Sequence, residues 1–267
     1  MGSISKQDDI KTLEIEGLKE MRCLSDEYFD KGEGSKPVRD YLLKACEDEV
    51  VLIRYLKGRK FRPKHAWDTL RRNAEIRFET YPEIFPSSLP KNAMWLIENY
   101  AIGFLKARDS KGRRIGFFNG SLWDPEKYSM ELLTIVATYY AELMLKDKDA
   151  MDNGVVFIQQ CSGMGMKHAK LYTIPSMLRL INVFWYSYPL KLKGVYYINV
   201  PVLLTFLYGI IKPFFPNKLK ERFLMTSTTK KFEALHEKLS PDILPKCLGG
   251  NLEYHEAVDT ELTAAIW

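Results

Sequence analysis

The segment 194–216, GVYYINVPVLLTFLYGIIKPFFP, constrains this chain more than any other. From Gly194 to Ile211 it carries no charged side chain, and an uncharged apolar run of about 18 residues is long enough for a transmembrane helix. Two residues inside it argue against that. Pro201 has no amide hydrogen to give a helix, and its ring holds Val200 in extended backbone. Asn199 places a polar amide two residues earlier. VYYINV is rich in β-branched and aromatic residues and is predicted as a strand. PVLLTFLYGII is predicted as a helix with Pro201 in its first turn. Each half is too short to span a bilayer, so no transmembrane anchor is expected.

The helix after Pro201 is apolar on nearly every side: Val202, Leu203, Leu204, Phe206, Leu207, Tyr208, Ile210 and Ile211. Such a helix is either buried all round or faces something apolar. Two readings stay open. It is a central core helix, or it is a lid that closes an apolar cavity with one face and meets a membrane with the other.

Charge distribution bears on the choice. The formal net charge is only +5, but no Asp or Glu occurs between Asp152 and Glu221, while Lys167, Lys170, Arg179, Lys191, Lys193, Lys212, Lys218 and Lys220 fall in that interval. Segregated positive charge points to an anionic partner (nucleic acid, a phosphorylated ligand or a membrane surface) or to a plain solvated face. Lys191 and Lys193 lie two apart on a predicted strand and so share a face. Lys218 and Arg222 lie four apart in a predicted helical turn and share a side. Cations beside an apolar helix suit an anionic headgroup, Arg as a fork and Lys as a point charge, and draw a protein to anionic lipid.

Along the chain, the first 90 residues or so read as helical. In RPKHAWDTLRRNAEIRFETYPEIF, Pro63 starts a helix that stops at Tyr81-Pro82, with Ala66, Leu70, Ala74 and Phe78 as its inward stripe. FPSSLP (85–90) is the predicted boundary, giving a helical domain over 1–88 and a second domain over 89–267. There, YAIGFLKARD and RRIGFFNG are predicted strands around a DSKGR turn. WDPEKYSMELLTIVATYYAELMLKD, IPSMLRLINVFWYSYP and KKFEALHEKL are predicted helices; GVVFIQQ and LKLKGVYYINV are predicted strands. Strands alternating with helices give an α/β fold with a mostly parallel sheet.

Catalytic signatures are sparse. The chain has no phosphate-binding loop ending in Lys-Ser/Thr and no GxSxG elbow. Gly163 and Gly165 follow a predicted strand, but His168 takes the third glycine position of a dinucleotide loop. The histidines His65, His168, His236 and His255 stand apart. Cys23, Cys46, Cys161 and Cys247 show no ligand spacing, so no metal is expected and the thiols are expected to be reduced, as in the cytoplasm. The polar N-terminus has no signal-peptide core. With no carboxylate from 153 to 220, a general acid/base site in the apolar half is hard to build. An enzyme using His168 or Cys161 remains the weaker alternative to a lipid carrier, as does a lipid-sensing adaptor.

Five motifs in fixed order carry a resemblance: LIRYLKGRKF, WDP, YPLKLKGVYYINVP, IIKPFFPNKLKERF and DILPKCLGGN. Through them the chain resembles the CRAL-TRIO (Sec14-like) lipid-binding proteins over about residues 40–255, most of all their tocopherol- and retinaldehyde-binding members. The resemblance implies an all-helical N-terminal domain and an α/β lipid-binding domain with an apolar cavity. It implies a mobile gate helix, here about 201–215, and no enzymatic activity or cofactor. The expected partners are a bound hydrophobic small molecule of tocopherol, retinoid, carotenoid or sterol type and phosphoinositide-containing membranes, met reversibly by a cytoplasmic protein; no nucleic acid is expected. By motif position, phosphoinositide-binding cations fall on Arg59, Lys191, Lys193, Lys218 and Arg222. Resemblance and periodicity together place in the cavity Phe118, Thr134, Ala137, Tyr140 and Ala141; Val155, Phe157, Gln159 and Met166; Leu178, Ile181, Val183, Phe184 and Tyr188; and Leu204, Leu207 and Ile210. Gln160 stands where the family usually carries an acidic residue, and Ala137 and Ala141 replace small hydroxyl residues that would partner a polar ligand group.

Overall fold

A computed structural model of the protein describes residues 2–228 and 232–265. The chain forms two compact units, residues 1–85 with 182–190, and residues 86–181 with 191–267.

The first unit is helical: α1 (Gly2–Asp30), α2 (Lys36–Glu47), α3 (Glu49–Gly58) and α4 (Pro63–Glu75). Leu18, Met21, Ser25 and Tyr28 form one buried stripe of α1 at helical spacing. They meet Val38 and Leu42 of α2, Leu52 and Leu56 of α3, and Trp67 and Leu70 of α4. Asp48 divides α2 from α3: its carboxylate accepts from the Val50 and Val51 amides at 2.9 and 3.3 Å, satisfying first-turn donors that a continuous helix would bond elsewhere. The stripe predicted on α4 holds for Ala66, Leu70 and Ala74 but not for Phe78, which is 39% exposed. A wide π turn over Ile76–Thr80 shifts the phase, so that Ile76 turns inward instead.

The second unit holds a five-stranded sheet in sequence order: β1 (Ile102–Arg108), β2 (Arg114–Asn119), β3 (Val155–Gln160), β4 (Leu192–Val200) and β5 (Phe223–Ser227). β1 and β2 are an antiparallel hairpin, and β2 to β5 run parallel. Its helices are α5 (Met94–Glu98), α6 (Met130–Lys146), α7 (Lys148–Asn153), α8 (Met166–Ala169), α9 (Ile174–Leu180), α10 (Val202–Ile211), α11 (Asn217–Lys220), α12 (Glu233–His236), α13 (Tyr254–Ala257) and α14 (Thr260–Ala264). This is the α/β arrangement that the alternating pattern predicts. β5 was not read from the sequence, and the long helix expected over 230–239 is the single turn α12, with 230 and 231 outside the described residues.

One face of the sheet packs an apolar core. Ile115, Phe117, Val156, Ile158, Tyr196 and Ile198 meet Leu235, Leu239, Leu244, Leu248 and Val258 from the C-terminal segment. Arg114 fastens β2 by bonding Asp147 ahead of α7 and Asp259 ahead of α14, each at 2.8 Å. The opposite face carries the site. β4 ends as the sequence predicts: Asn199 takes a left-handed backbone (φ 53°), Val200 is the last strand residue, and Pro201 caps α10. Among the described residues, no helix is long and apolar enough to cross a membrane.

Candidate functional site

Alternation puts two rows of side chains on the second face of the sheet. Phe118, Gln159, Tyr197 and Met225 are neighbours across β2 to β5, and Gly116, Phe157, Val195 and Phe223 form the next row. At the β4–β5 end this face is the floor of a cavity, with Gln159, Tyr197, Phe223 and Met225 exposed to it. Tyr172 and Met177 make one wall. Leu204, Leu207, Tyr208 and Ile211 of α10, with Phe215 beyond it, make the roof. The space, open mouth included, is about 420 Å³. Phe223 is the hub, with its ring 5.5 Å from Tyr197, 5.5 Å from Tyr208 and 5.2 Å from Phe215.

The other side of α10 is apolar and open. Val202 is 84% exposed and Phe206 67%, with Ile210 on the same stripe and Phe214 in the 3-10 turn that follows. An apolar side chain left in water forgoes about 1.5–3 kcal/mol of burial, so a run of them on one helix marks an interaction surface. The central-core reading of this helix does not hold: α10 covers the cavity with one face and leaves the other in solvent.

The residues expected in the cavity divide into groups. Gln159, Leu204 and Leu207 line it. Phe118, Val155 and Phe157 share its sheet face. Thr134, Ala137, Tyr140 and Ala141 lie on α6, whose Tyr140 ring sits 5.6 Å from Phe104 over the β1–β2 end of that face. Met166, Leu178 and Ile210 point outward at 60%, 37% and 46% exposure. For the last two the phase is off by one, since Met177 and Ile211 take the inward positions. Ile181 is buried at the end of α9. Val183, Phe184 and Tyr188 belong to 182–190, which packs within the first unit. Sequence reading missed Tyr172, Tyr197, Tyr208, Phe215, Phe223 and Met225. Period-two alternation of Tyr197 with Val195 was available as a signal, and FLMTS had the composition of a strand.

Three of the expected cations gather at the start of β4. The Lys191 ammonium donates to the carbonyls of Met151 and Asp152 at 2.9 and 3.4 Å, the C-terminal end of α7, where a cation is favoured. The Arg222 guanidinium donates to the Leu192 carbonyl. The Lys193 stem lies against Gly154, whose φ of 94° few other residues adopt. A bulge on β4, with Leu192 opposite Val155 and Gly194 opposite Val156, breaks the strict alternation expected to align Lys191 with Lys193. Lys218 is exposed on α11, one turn before Arg222. Arg59 lies in the first unit. Its Nε donates to Thr69 Oγ1 at 2.8 Å and its Nη2 to the Tyr188 and Trp185 carbonyls at 2.7 and 3.4 Å. Burial lowers its pKa, but a guanidinium stays charged regardless.

Residues with catalytic potential are otherwise engaged. Burial pushes the Cys161 thiol up to about 12, so it is protonated at neutral pH. His168 Nδ1 accepts from the Gly165 amide at 3.0 Å, and its Nε2 bonds the Trp123 carbonyl at 2.9 Å. Gln160 explains its departure from an acid. Its amide nitrogen donates to the Cys247 carbonyl at 3.2 Å while its oxygen accepts from the Ser162 amide at 2.8 Å, and an ionised carboxylate cannot do the first.

A mostly parallel α/β sheet, closed on one face by a helix that is apolar inside and out, defines the class. This chain belongs to the CRAL/TRIO domain family, whose model matches residues 98–250. It is similar to clavesin-1 of Xenopus laevis, 29% identical over 209 residues covering 77% of this chain and 61% of the relative. It is similar also to clavesin-2 of Homo sapiens, 29% over 208 residues, 77% and 62%. The chain thus spans about three-fifths of the length of these curated relatives. Among solved structures, the crystal structure of Sfh5 shares the fold with a TM-score of 0.53 at 14% identity, covering 89% of this chain and 80% of that one.

Proposed function

We propose that this protein binds one hydrophobic molecule beneath α10 and transfers it between membranes, docking reversibly on phosphoinositide-containing surfaces. The observation that carries the reading is the two-sided apolar character of α10. Leu204, Leu207 and Ile211 face the cavity while Val202, Phe206 and Ile210 face out. Swinging outward, such a helix would exchange cavity for acyl chains and keep its apolar area out of water. Lys191, Lys193 and Arg222 at the start of β4, with Lys218 on α11, would hold the anionic surface. The resemblance also names Arg59 as a phosphoinositide-binding cation, an assignment that rests on the motif alone. A headgroup moves the gate only as far as it binds the open state better than the closed one. No covalent step belongs to the proposal, since the cavity lining has no carboxylate, cysteine or histidine.

Native mass spectrometry of gently purified protein, with solvent extraction of what it carries, tests binding; a single apolar adduct is expected. Transfer of a fluorescent lipid between vesicles tests the rest. Vesicles containing phosphoinositide should accelerate transfer, and Lys193→Ala with Lys218→Ala should remove the acceleration. Binding without transfer would overturn the carrier reading in favour of a lipid-sensing adaptor.

A further inference from the structure

The root of α10 is a strained turn held by one amide. Tyr197 pairs with Met225 and Val200 with Ser227, so β4 advances three residues where β5 advances two. The extra residue makes a bulge, and Asn199 lies in it with a left-handed backbone (φ 53°). A residue with a Cβ keeps such a backbone only where its surroundings enforce it. Here the buried Asn199 side chain donates from Nδ2 to Gln160 Oε1 at 3.4 Å. Gln160, buried too, is itself fixed. Its Oε1 accepts from the Ser162 amide at 2.8 Å and its Nε2 donates to the Cys247 carbonyl at 3.2 Å. One of these main-chain groups can only donate and the other only accept, so the carboxamide has a single orientation. Val200 then ends the strand, and Pro201 caps α10.

We infer that Gln160 is the positioning residue of the α10 hinge: its carboxamide holds Asn199 left-handed and so keeps α10 over the cavity. The inference rests on the outward swing proposed above and adds where the chain bends and what resists the bend. Hinges are residues at the ends of elements that absorb a large change of φ and ψ. Pro201 cannot supply that change, because its ring fixes φ and confines Val200 to extended backbone. Asn199 can, since an extended backbone free of strain lies open to it. Turning to that backbone carries its amide away from Gln160 and leaves both buried groups without the bond they share. The closed state therefore holds strain and bond together, and the open state neither. Two arrangements balanced in this way can be tipped by a modest difference in binding. Through Gln160 the tie reaches the Cys247 carbonyl, so the C-terminal segment braces the hinge as well.

Hydrogen exchange of the full chain, as purified, tests this. Gln160→Met removes the acceptor at similar volume. Asn199→Gly removes the donor while the left-handed backbone stays accessible. Each should speed exchange of the α10 amides about fivefold relative to those of β2 and α6, the factor that one lost hydrogen bond corresponds to. The double variant should exchange no faster than the quicker single variant, because the two substitutions act through one bond. Unchanged α10 exchange in both single variants, or additive effects in the double, would overturn the inference. So would a rise shared equally by β2 and α6, which would make Gln160 an ordinary core residue. None of these outcomes touches lipid carriage. Native protein with the expected α10 response, but with no lipid adduct and no transfer between vesicles, would overturn the carrier reading and leave the hinge standing.

Discussion

Arg59 shows how much one half-buried side chain can organise. It joins α3 to the segment 185–188 by donating to two main-chain carbonyls and fixes itself through Thr69. Gly58 beside it leaves no room for a side chain, since a Cβ there would fall 2.0 Å from the Pro189 carbonyl oxygen. Arg59→Met should remove these hydrogen bonds and cost about 1–3 kcal/mol, read as a lower urea midpoint with m unchanged. Asp147 gives a pH signature. Burial works to raise its pKa, but the hydrogen bond and charge of Arg114 and the Ala150 amide outweigh it, and the net shift is downward. A carboxylate depressed in the native state contributes stability that is complete above the unfolded value of about 4 and is lost as pH falls through the native value. Urea midpoints should therefore fall on acidification below about pH 4, and Asp147→Asn should flatten that fall.

At the scale of elements, α10 and the β3–β4 junction make separable contributions. Val202→Asp with Phe206→Asp places charge on a face already in water, so stability should change by no more than about 0.5 kcal/mol while sedimentation with anionic vesicles is lost. Equal loss of stability and binding would mean that this face is packed rather than presented. Gly154 ends α7 with φ 94° and ψ −172°, and a Cβ there would meet the Lys191 carbonyl oxygen at 2.4 Å. Backbone in that region costs a non-glycine residue about 1–3 kcal/mol, and the clash adds to it. Gly154→Ala should destabilise the fold and displace Lys191 and Lys193 together, so vesicle affinity should fall with stability.

For the whole molecule, the proposed ligand and the fold should be linked. A lipid that binds only the native state stabilises it by about 2.7 kcal/mol at a hundred times its dissociation constant. Solvent-stripped protein should therefore melt at a lower temperature than protein as purified, and re-addition of the bound lipid should restore the difference. The second unit should show the larger change by hydrogen exchange, because the cavity lies within it.

The sequence by itself determined the elements and their alternation. Pro201 and Asn199 cut the apolar run, four of the five strands stood out by composition, and the carboxylate-free interval marked where cations would dominate. These signals are local, carried by dihedral preference and by periods of two and 3.6 residues. What only the tertiary structure decided depends on partners distant in sequence. A π turn moved Phe78 outward, and a one-residue helical phase exchanged Leu178 for Met177 and Ile210 for Ile211. Residues 182–190 went to the first unit and took Val183, Phe184 and Tyr188 with them. The cavity floor exists because parallel pairing sets Tyr197 of β4 beside Gln159 of β3, 38 positions apart in the chain. Neither residue announces that contact locally, since register is a property of the sheet and not of either strand.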